Sequence, residues 1–127
     1  MTLIACFALL MSACAARNGG SSDEDSTAST DLTITVWPQG EGGPSHEWTL
    51  SCDPAGGTLP DAADACSRLT AEMLAPLPPD TICTQIYGGP QTARVQGTFE
   101  GSEIDAEFGR SNGCEIHRWD VASFLFR

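Results

Sequence analysis

The sequence predicts a small α+β domain, with a five-stranded antiparallel β-sheet, a helix packed on one face of the sheet, and two disulfide bonds. Three observations support this class. Five segments show the alternation of apolar and polar residues that is typical of strands, one stretch between them has helical spacing, and four cysteines lie beyond an apolar leader. After the leader and a linker, roughly 95 residues remain, enough for one domain with a modest core.

The first two strands are predicted to form a hairpin. Leu32, Ile34 and Val36 occupy every second position before Pro38 ends the strand. A glycine-rich turn at residues 39–45 separates this segment from a second alternating segment at residues 46–52. Two alternating segments joined by a turn indicate antiparallel neighbours in one sheet.

One helix and three further strands complete the predicted order β-β-α-β-β-β. Residues 61–74 are predicted to be helical, because apolar side chains recur at helical spacing at Ala62, Cys66, Leu69 and Met73. Prolines at positions 76, 78 and 79 prevent its continuation. Segments 91–99 and 102–108 flank a tight turn, and segment 121–126 is predicted to be the fifth strand. This order favours an antiparallel sheet with a helix on one face.

The charge and the motif content exclude several classes of function. The formal net charge is −11, and the six basic residues are all arginine, which argues against a nucleic-acid partner because phosphates would be repelled. The spacing of His46 and His117 suggests no catalytic arrangement, and no nucleophile elbow, zinc-protease motif or phosphate loop is present. The sequence therefore predicts a protein that is not an enzyme and needs no cofactor.

The N-terminal residues predict export. Residues 2–13 form an apolar run that is too short to span a bilayer and fits the core of a signal peptide. The run ends in Leu10-Met11-Ser12-Ala13-Cys14, which resembles the lipobox of bacterial lipoproteins and implies a lipid on Cys14. Simple secretion after cleavage is the alternative. The polar residues that follow predict a flexible linker, so the chain divides into a signal peptide (1–13), a lipidated cysteine with linker (14–31) and a domain (32–127).

The cysteines of the domain predict disulfide bonds rather than a metal site. Four of them remain after the leader and Cys14 are set aside: Cys52, Cys66, Cys83 and Cys114. An even number in a small exported domain indicates disulfides, and four cysteines allow three pairings. A structural zinc site would need closely spaced ligand pairs, which this sequence lacks, so no metal is expected.

Residues 78–90 (PPDTICTQIYGGP) carry the predicted function. β-Branched and aromatic residues favour an extended backbone, and the flanking prolines and glycines favour a loop over a sheet strand. A serine protease binds its substrate in an extended conformation. A loop that is already crosslinked in that shape loses little entropy on binding, which raises its affinity.

Three motifs together resemble one known family. They are T-L-S-C-x-P-x-G-G-T-x-P…A-C at residues 49–66, I-C-T-Q-I-Y at 82–87 and S-N-G-C-E-I at 111–116. The pattern is similar to the Streptomyces subtilisin inhibitor family, and the likeness extends from about Leu32 to Phe126.

The resemblance implies a fold, a partner and a site. It implies a five-stranded sheet, disulfides Cys52–Cys66 and Cys83–Cys114, a homodimer formed through the sheet, and a subtilisin-like serine protease as the partner. It puts the reactive bond between Gln85 and Ile86, with Asn112 behind the loop as a hydrogen-bonding support. The remaining residues of the implied protease-binding loop are Ile82, Cys83, Thr84 and Tyr87.

Two departures from the family pattern keep an alternative open. Gln85 is polar and uncharged, where subtilisin-directed members often have Met or Leu and trypsin-directed members have Lys or Arg. The stretch Gly88-Gly89-Pro90 is one residue longer than the usual continuation after the tyrosine. The alternative hypothesis is therefore a non-inhibitory cell-surface binding protein on the same scaffold.

Overall fold

The computed structural model describes residues 29–127. The predicted signal peptide, the lipidation site Cys14 and most of the predicted linker lie outside the described residues. The first strand begins two residues before the predicted start of the domain. The elements are β1 (Thr30–Trp37), β2 (His46–Cys52), α1 (Ala62–Arg68), α2 (Ala71–Leu74), β3 (Thr92–Phe99), β4 (Ser102–Phe108), α3 (Gly113–Val121) and a terminal 3₁₀ turn (Ser123–Leu125).

The sheet has the order β2-β1-β3-β4, and every neighbouring pair is antiparallel. In the central strand β1, Ile34 pairs with Trp48 on one side and with Val95 on the other. Both predicted hairpins are confirmed. The turn between β3 and β4 has φ of 48° at Glu100 and 85° at Gly101, a left-handed pair that matches the natural twist of a hairpin.

The sheet of the described residues has four strands, and the predicted fifth strand at residues 121–126 is wrong. Val121 is the last residue of α3, and the 3₁₀ turn follows directly. The physical reason is burial: Ala122, Phe124 and Leu125 are all buried, whereas a strand on one face of a sheet would bury every second residue. The helical path brings these three side chains to the core together.

The predicted helix at 61–74 is divided into α1 and α2. Leu69 and Thr70 leave the helical conformation, with ψ of 132° and 158°. Both Leu69 and Leu74 are buried. On one continuous helix they would point about 140° apart, so the interruption allows both leucines to reach the core.

The core lies on one face of the sheet, where strand residues such as Leu32, Ile34 and Val95 pack against the helices and the terminal turn. The disulfide Cys52–Cys66 links the end of β2 to α1. In residues 29–127 no helix is long and apolar enough to cross a bilayer.

The opposite face of the sheet is polar. There Arg94 donates two hydrogen bonds of 2.8 Å to the carboxylate of Asp105, across β3 and β4. The hydrogen bonds from Arg94 hold the pKa of Asp105 below its usual value of 3.8, although desolvation opposes this shift. Both groups remain accessible to water, so the pair contributes little to stability.

Candidate functional site

The candidate site is the connection between α2 and β3, in which residues 81–89 form neither helix nor strand. Three large apolar side chains of this loop are exposed: Ile82 by 96%, Tyr87 by 70% and Ile86 by 58%. Their exposure contrasts with the buried apolar face of the sheet. A cluster of exposed large apolar residues marks an interaction surface.

The first half of the loop is held by a covalent bond and a backbone hydrogen bond. The disulfide Cys83–Cys114 joins it to α3, as the family resemblance implies. The N–H of Gly113 donates to the carbonyl oxygen of Thr84 over 2.9 Å. A Cβ atom at position 113 would overlap Thr84 Oγ1, so a larger residue there would force the Thr84 side chain to move.

The second half of the loop is held at Gly88. Its N–H donates to the carbonyl oxygen of Arg110 over 2.7 Å, and Arg110 Nε donates back to the Gly88 carbonyl oxygen over 3.1 Å. A Cβ atom on Gly88 would lie 2.7 Å from Ile116 Cγ1, which is too close. Arg110 is itself held by Asp120, with 2.9 Å between Nη1 and Oδ1.

Apart from Cys114, the residues of α3 that approach the loop or hold Arg110 lie on one face of the helix. Gly113, Ile116 and Asp120 follow helical spacing and therefore lie on one side of the helix. Asn112 caps this helix, because its Oδ1 accepts the N–H of Glu115 over 3.0 Å, and the acidic Glu115 suits the first turn.

The side chain of Asn112 thus contacts the helix that carries Gly113 and Cys114, the two residues bonded to the first half of the loop. Its predicted direct hydrogen bonds to the loop stay a prediction, since the bond of its Oδ1 is made to Glu115. Arg110, Gly113 and Asp120 were not predicted as site residues. The sequence did contain a signal, because Asn112-x-x-Glu115 is a capping pattern that would have predicted α3 and the supporting face.

The predicted reactive bond lies between the two anchored ends. Thr84 and Gly88 are fixed to the 110–114 segment, and Gln85, Ile86 and Tyr87 between them are exposed. The side chain of Gln85 folds back, and its Nε2 donates to the carbonyl oxygen of Cys83 over 3.3 Å. All the predicted loop residues therefore belong to one accessible segment.

The described residues offer no competing metal centre, since residues 29–127 contain no group of three or more His, Cys, Asp or Glu side chains that could hold a metal ion. The four domain cysteines are used in the two disulfides. What the structure presents is a binding surface, which is a loop held at both ends on a small disulfide-bonded scaffold.

These features define a class, the compact modules that bind a partner through a rigid, exposed loop. The family model described as "Subtilisin inhibitor-like" matches residues 26–112, more than half of the chain. The chain belongs to the subtilisin inhibitor-like family. The match ends one residue before α3 begins, so the supporting helix lies beyond it.

Two relatives are similar over most of their length. Subtilisin inhibitor-like protein 1 of Streptomyces cacaoi is 36% identical over 85 residues, which cover 61% of this chain and 76% of the relative. Protease inhibitor SIL-V2 of Streptomyces orinoci is 33% identical over 89 residues, covering 65% and 81%. Membership of this family confirms that the chain is not an enzyme.

Among solved structures, Streptomyces caespitosus sermetstatin in complex with Bacillus licheniformis subtilisin matches with a TM-score of 0.49 and 28% identity. The match covers 76% of this chain and 96% of sermetstatin.

Proposed function

We propose that this protein inhibits subtilisin-like serine proteases by inserting the loop around Gln85 and Ile86 into the substrate cleft. One observation carries the proposal: the loop presents exposed side chains while both of its ends are fixed to the 110–114 segment. A ligand that is already ordered before binding loses less conformational entropy, so its affinity rises. The family and the names of the relatives support the same function.

The inhibitory step follows from what happens at the bond between Gln85 and Ile86. The serine oxygen of the protease attacks the Gln85 carbonyl carbon, an ester forms, and the Ile86 nitrogen leaves as an amine with the serine proton. Because the two anchors keep this amine beside the ester, it attacks the ester, restores the peptide bond and returns the proton to the serine. Hydrolysis of the ester by water competes poorly, so the protease stays occupied.

Gln85 would enter the pocket that determines specificity. Its amide carries no charge for the acidic pocket of a trypsin-like protease, and it must give up its hydrogen bond to the Cys83 carbonyl oxygen to enter. We therefore propose a tolerant subtilisin-like pocket as the target. The Gln85→Lys variant should gain potency against trypsin.

A titration tests the function. Increasing amounts of the purified chain are added to subtilisin, and the hydrolysis of a chromogenic peptide is followed. Stoichiometric loss of activity is expected, and mapping after incubation at low pH should find slow scission after Gln85. Undiminished hydrolysis at large excess would refute the proposal. If an envelope protein still binds the Gln85→Pro variant in a pulldown, the non-inhibitory alternative is favoured.

We further propose that the chain acts at the outer face of a bacterial membrane, attached through a lipid on Cys14. The support is the lipobox-like stretch at residues 10–14 and the polar linker that follows. Growth with a labelled fatty acid should label the chain, and the Cys14→Ser variant should lose the label and enter the medium. Wild-type chain found unlabelled in the medium would indicate simple secretion.

The homodimer that the resemblance implies remains part of the proposal. The outer face of the sheet offers a broad surface with short, half-exposed side chains such as Thr33 and Thr35 on its central strand. Sedimentation of the purified chain distinguishes a dimer from a monomer, and a Thr35→Arg substitution should dissociate a dimer formed through this face.

A further inference from the structure

We infer that Arg110, oriented by Asp120, is a positioning residue that holds the leaving-group side of the reactive bond in place. The inference rests on the proposed function and goes beyond it. It assigns a role in the inhibitory reaction to two residues that lie outside the loop.

The two sides of the predicted reactive bond are held differently. On the Gln85 side, the disulfide at Cys83 provides a covalent link to α3. On the Ile86 side, the described contacts are noncovalent and converge on Gly88, two residues after Ile86. After scission, the new amino terminus at Ile86 therefore depends on the Gly88 contacts to stay near the ester.

Arg110 provides two of these contacts. Its carbonyl oxygen accepts the Gly88 N–H, and its Nε donates to the Gly88 carbonyl oxygen. The backbone hydrogen bond alone would hold the N–H of Gly88, whereas the two bonds together hold both its N–H and its carbonyl oxygen. A hydrogen bond from a charged donor is also stronger than a neutral one.

Asp120 fixes the orientation of the guanidinium. The Arg110 side chain is 21% exposed and that of Asp120 is 62% exposed, so the ion pair itself adds little stability. The ion pair instead determines where the guanidinium points. The planar guanidinium offers Nη1 to Asp120 and Nε to Gly88 at the same time, an arrangement that lysine cannot reproduce.

The consequence concerns the competition between religation and hydrolysis. Religation needs the Ile86 amine beside the ester that joins Gln85 to the protease serine, while hydrolysis needs only water. Loss of the Arg110 side-chain contact should therefore favour release of the cut inhibitor. The intact fold and the disulfide on the Gln85 side would remain.

The test compares Arg110→Met with Arg94→Met in the full chain. Both changes remove one arginine from an Arg–Asp pair, but Arg94 lies on the outer face of the sheet. Two quantities are measured: the hydrogen exchange rate of the Gly88 amide, and the ratio of cut to intact chain at equilibrium with a trace of subtilisin. Asp120→Ala and Asp120→Asn are made in parallel.

Arg110→Met is expected to raise both quantities by about tenfold to a hundredfold, the range for loss of one charge-assisted hydrogen bond. Arg94→Met should leave both unchanged. Asp120→Ala should give a smaller rise, and Asp120→Asn, which keeps an acceptor oxygen, should restore most of the wild-type behaviour. If Arg110→Met does not fold, the two Asp120 variants still decide the question.

Equal Gly88 exchange in Arg110→Met and Arg94→Met would overturn the inference, whether or not the wild-type chain inhibits subtilisin. Wild-type chain without inhibitory activity but with Gly88 exchange that depends on Arg110 would refute the proposed function and support the positioning role. The two failures are thereby distinguished.

Discussion

Removal of the Cys83–Cys114 disulfide, by replacing both cysteines with alanine, should abolish lasting inhibition as well as lower the stability of the fold. The bonded residues are 31 positions apart, and those of Cys52–Cys66 are 14 apart. In the chain-entropy model, the two crosslinks stabilise the folded state by about 3.7 and about 3.0 kcal/mol. For a domain of this size, each loss corresponds to a drop in melting temperature of about 12–30 °C.

A second variant, in which Cys52 and Cys66 are replaced by alanine, serves as the control. The two variants should lose similar amounts of stability but differ in how well they inhibit the protease. Without Cys83–Cys114, the Gln85 side of the reactive bond loses its covalent link, so the loop should be cut rapidly and the protease should recover its activity. Without Cys52–Cys66, the loop anchors are unchanged, so inhibition should persist below the melting temperature.

The assay follows residual subtilisin activity over time at a temperature where both variants are folded, as judged by circular dichroism. Lasting inhibition by the chain without Cys83–Cys114 would refute the view that this crosslink keeps the loop from being consumed. Equal loss of inhibition in the two variants would point to stability alone.

Three further predictions concern the loop, the core and the acid range. Gly88→Ala should weaken inhibition and destabilise the chain by about 1–3 kcal/mol in a urea titration, because the new methyl group would overlap Ile116; unchanged values would contradict the close approach. Leu125→Ala should cost about 2–5 kcal/mol by the same titration, since its side chain is fully buried in the terminal turn. Because Arg94 lowers the folded-state pKa of Asp105, the stabilisation is complete above the usual value of 3.8 and lost as the pH falls through the lowered pKa. Asp105→Asn should therefore make the fall in melting temperature below that pH slightly less steep, in keeping with the small contribution of an exposed pair, and a curve parallel to wild type would disprove this assignment.

The hairpins and the loop could be predicted from the sequence because their signals are local. The alternation in β1 and the glycine turn at position 101 depend on neighbouring residues only. Cys83 between β-branched residues likewise indicated an extended, crosslinked loop. The family resemblance added the disulfide pairing, which four cysteines alone leave open.

The terminal segment was predicted wrongly because a short apolar run has no unique period. Residues 121–126 suit a strand as well as a buried helical turn, and only the packing of Phe124 and Leu125 against the sheet decides between them. The role of Arg110 could not be predicted for a related reason. Its partners Gly88 and Asp120 lie 22 and 10 positions away, and α3 brings them together.

The register of β1 has a consequence for the proposed attachment of the chain through a lipid on Cys14. The polypeptide enters the sheet at Thr30, opposite Cys52, whereas the reactive loop leads into Thr92, which pairs with Trp37 at the far end of the same strand. Eight extended residues span about 25 Å. An anchor upstream of Thr30 would therefore join the domain at the end of β1 opposite the loop, and the length of the strand would separate the loop from that attachment point.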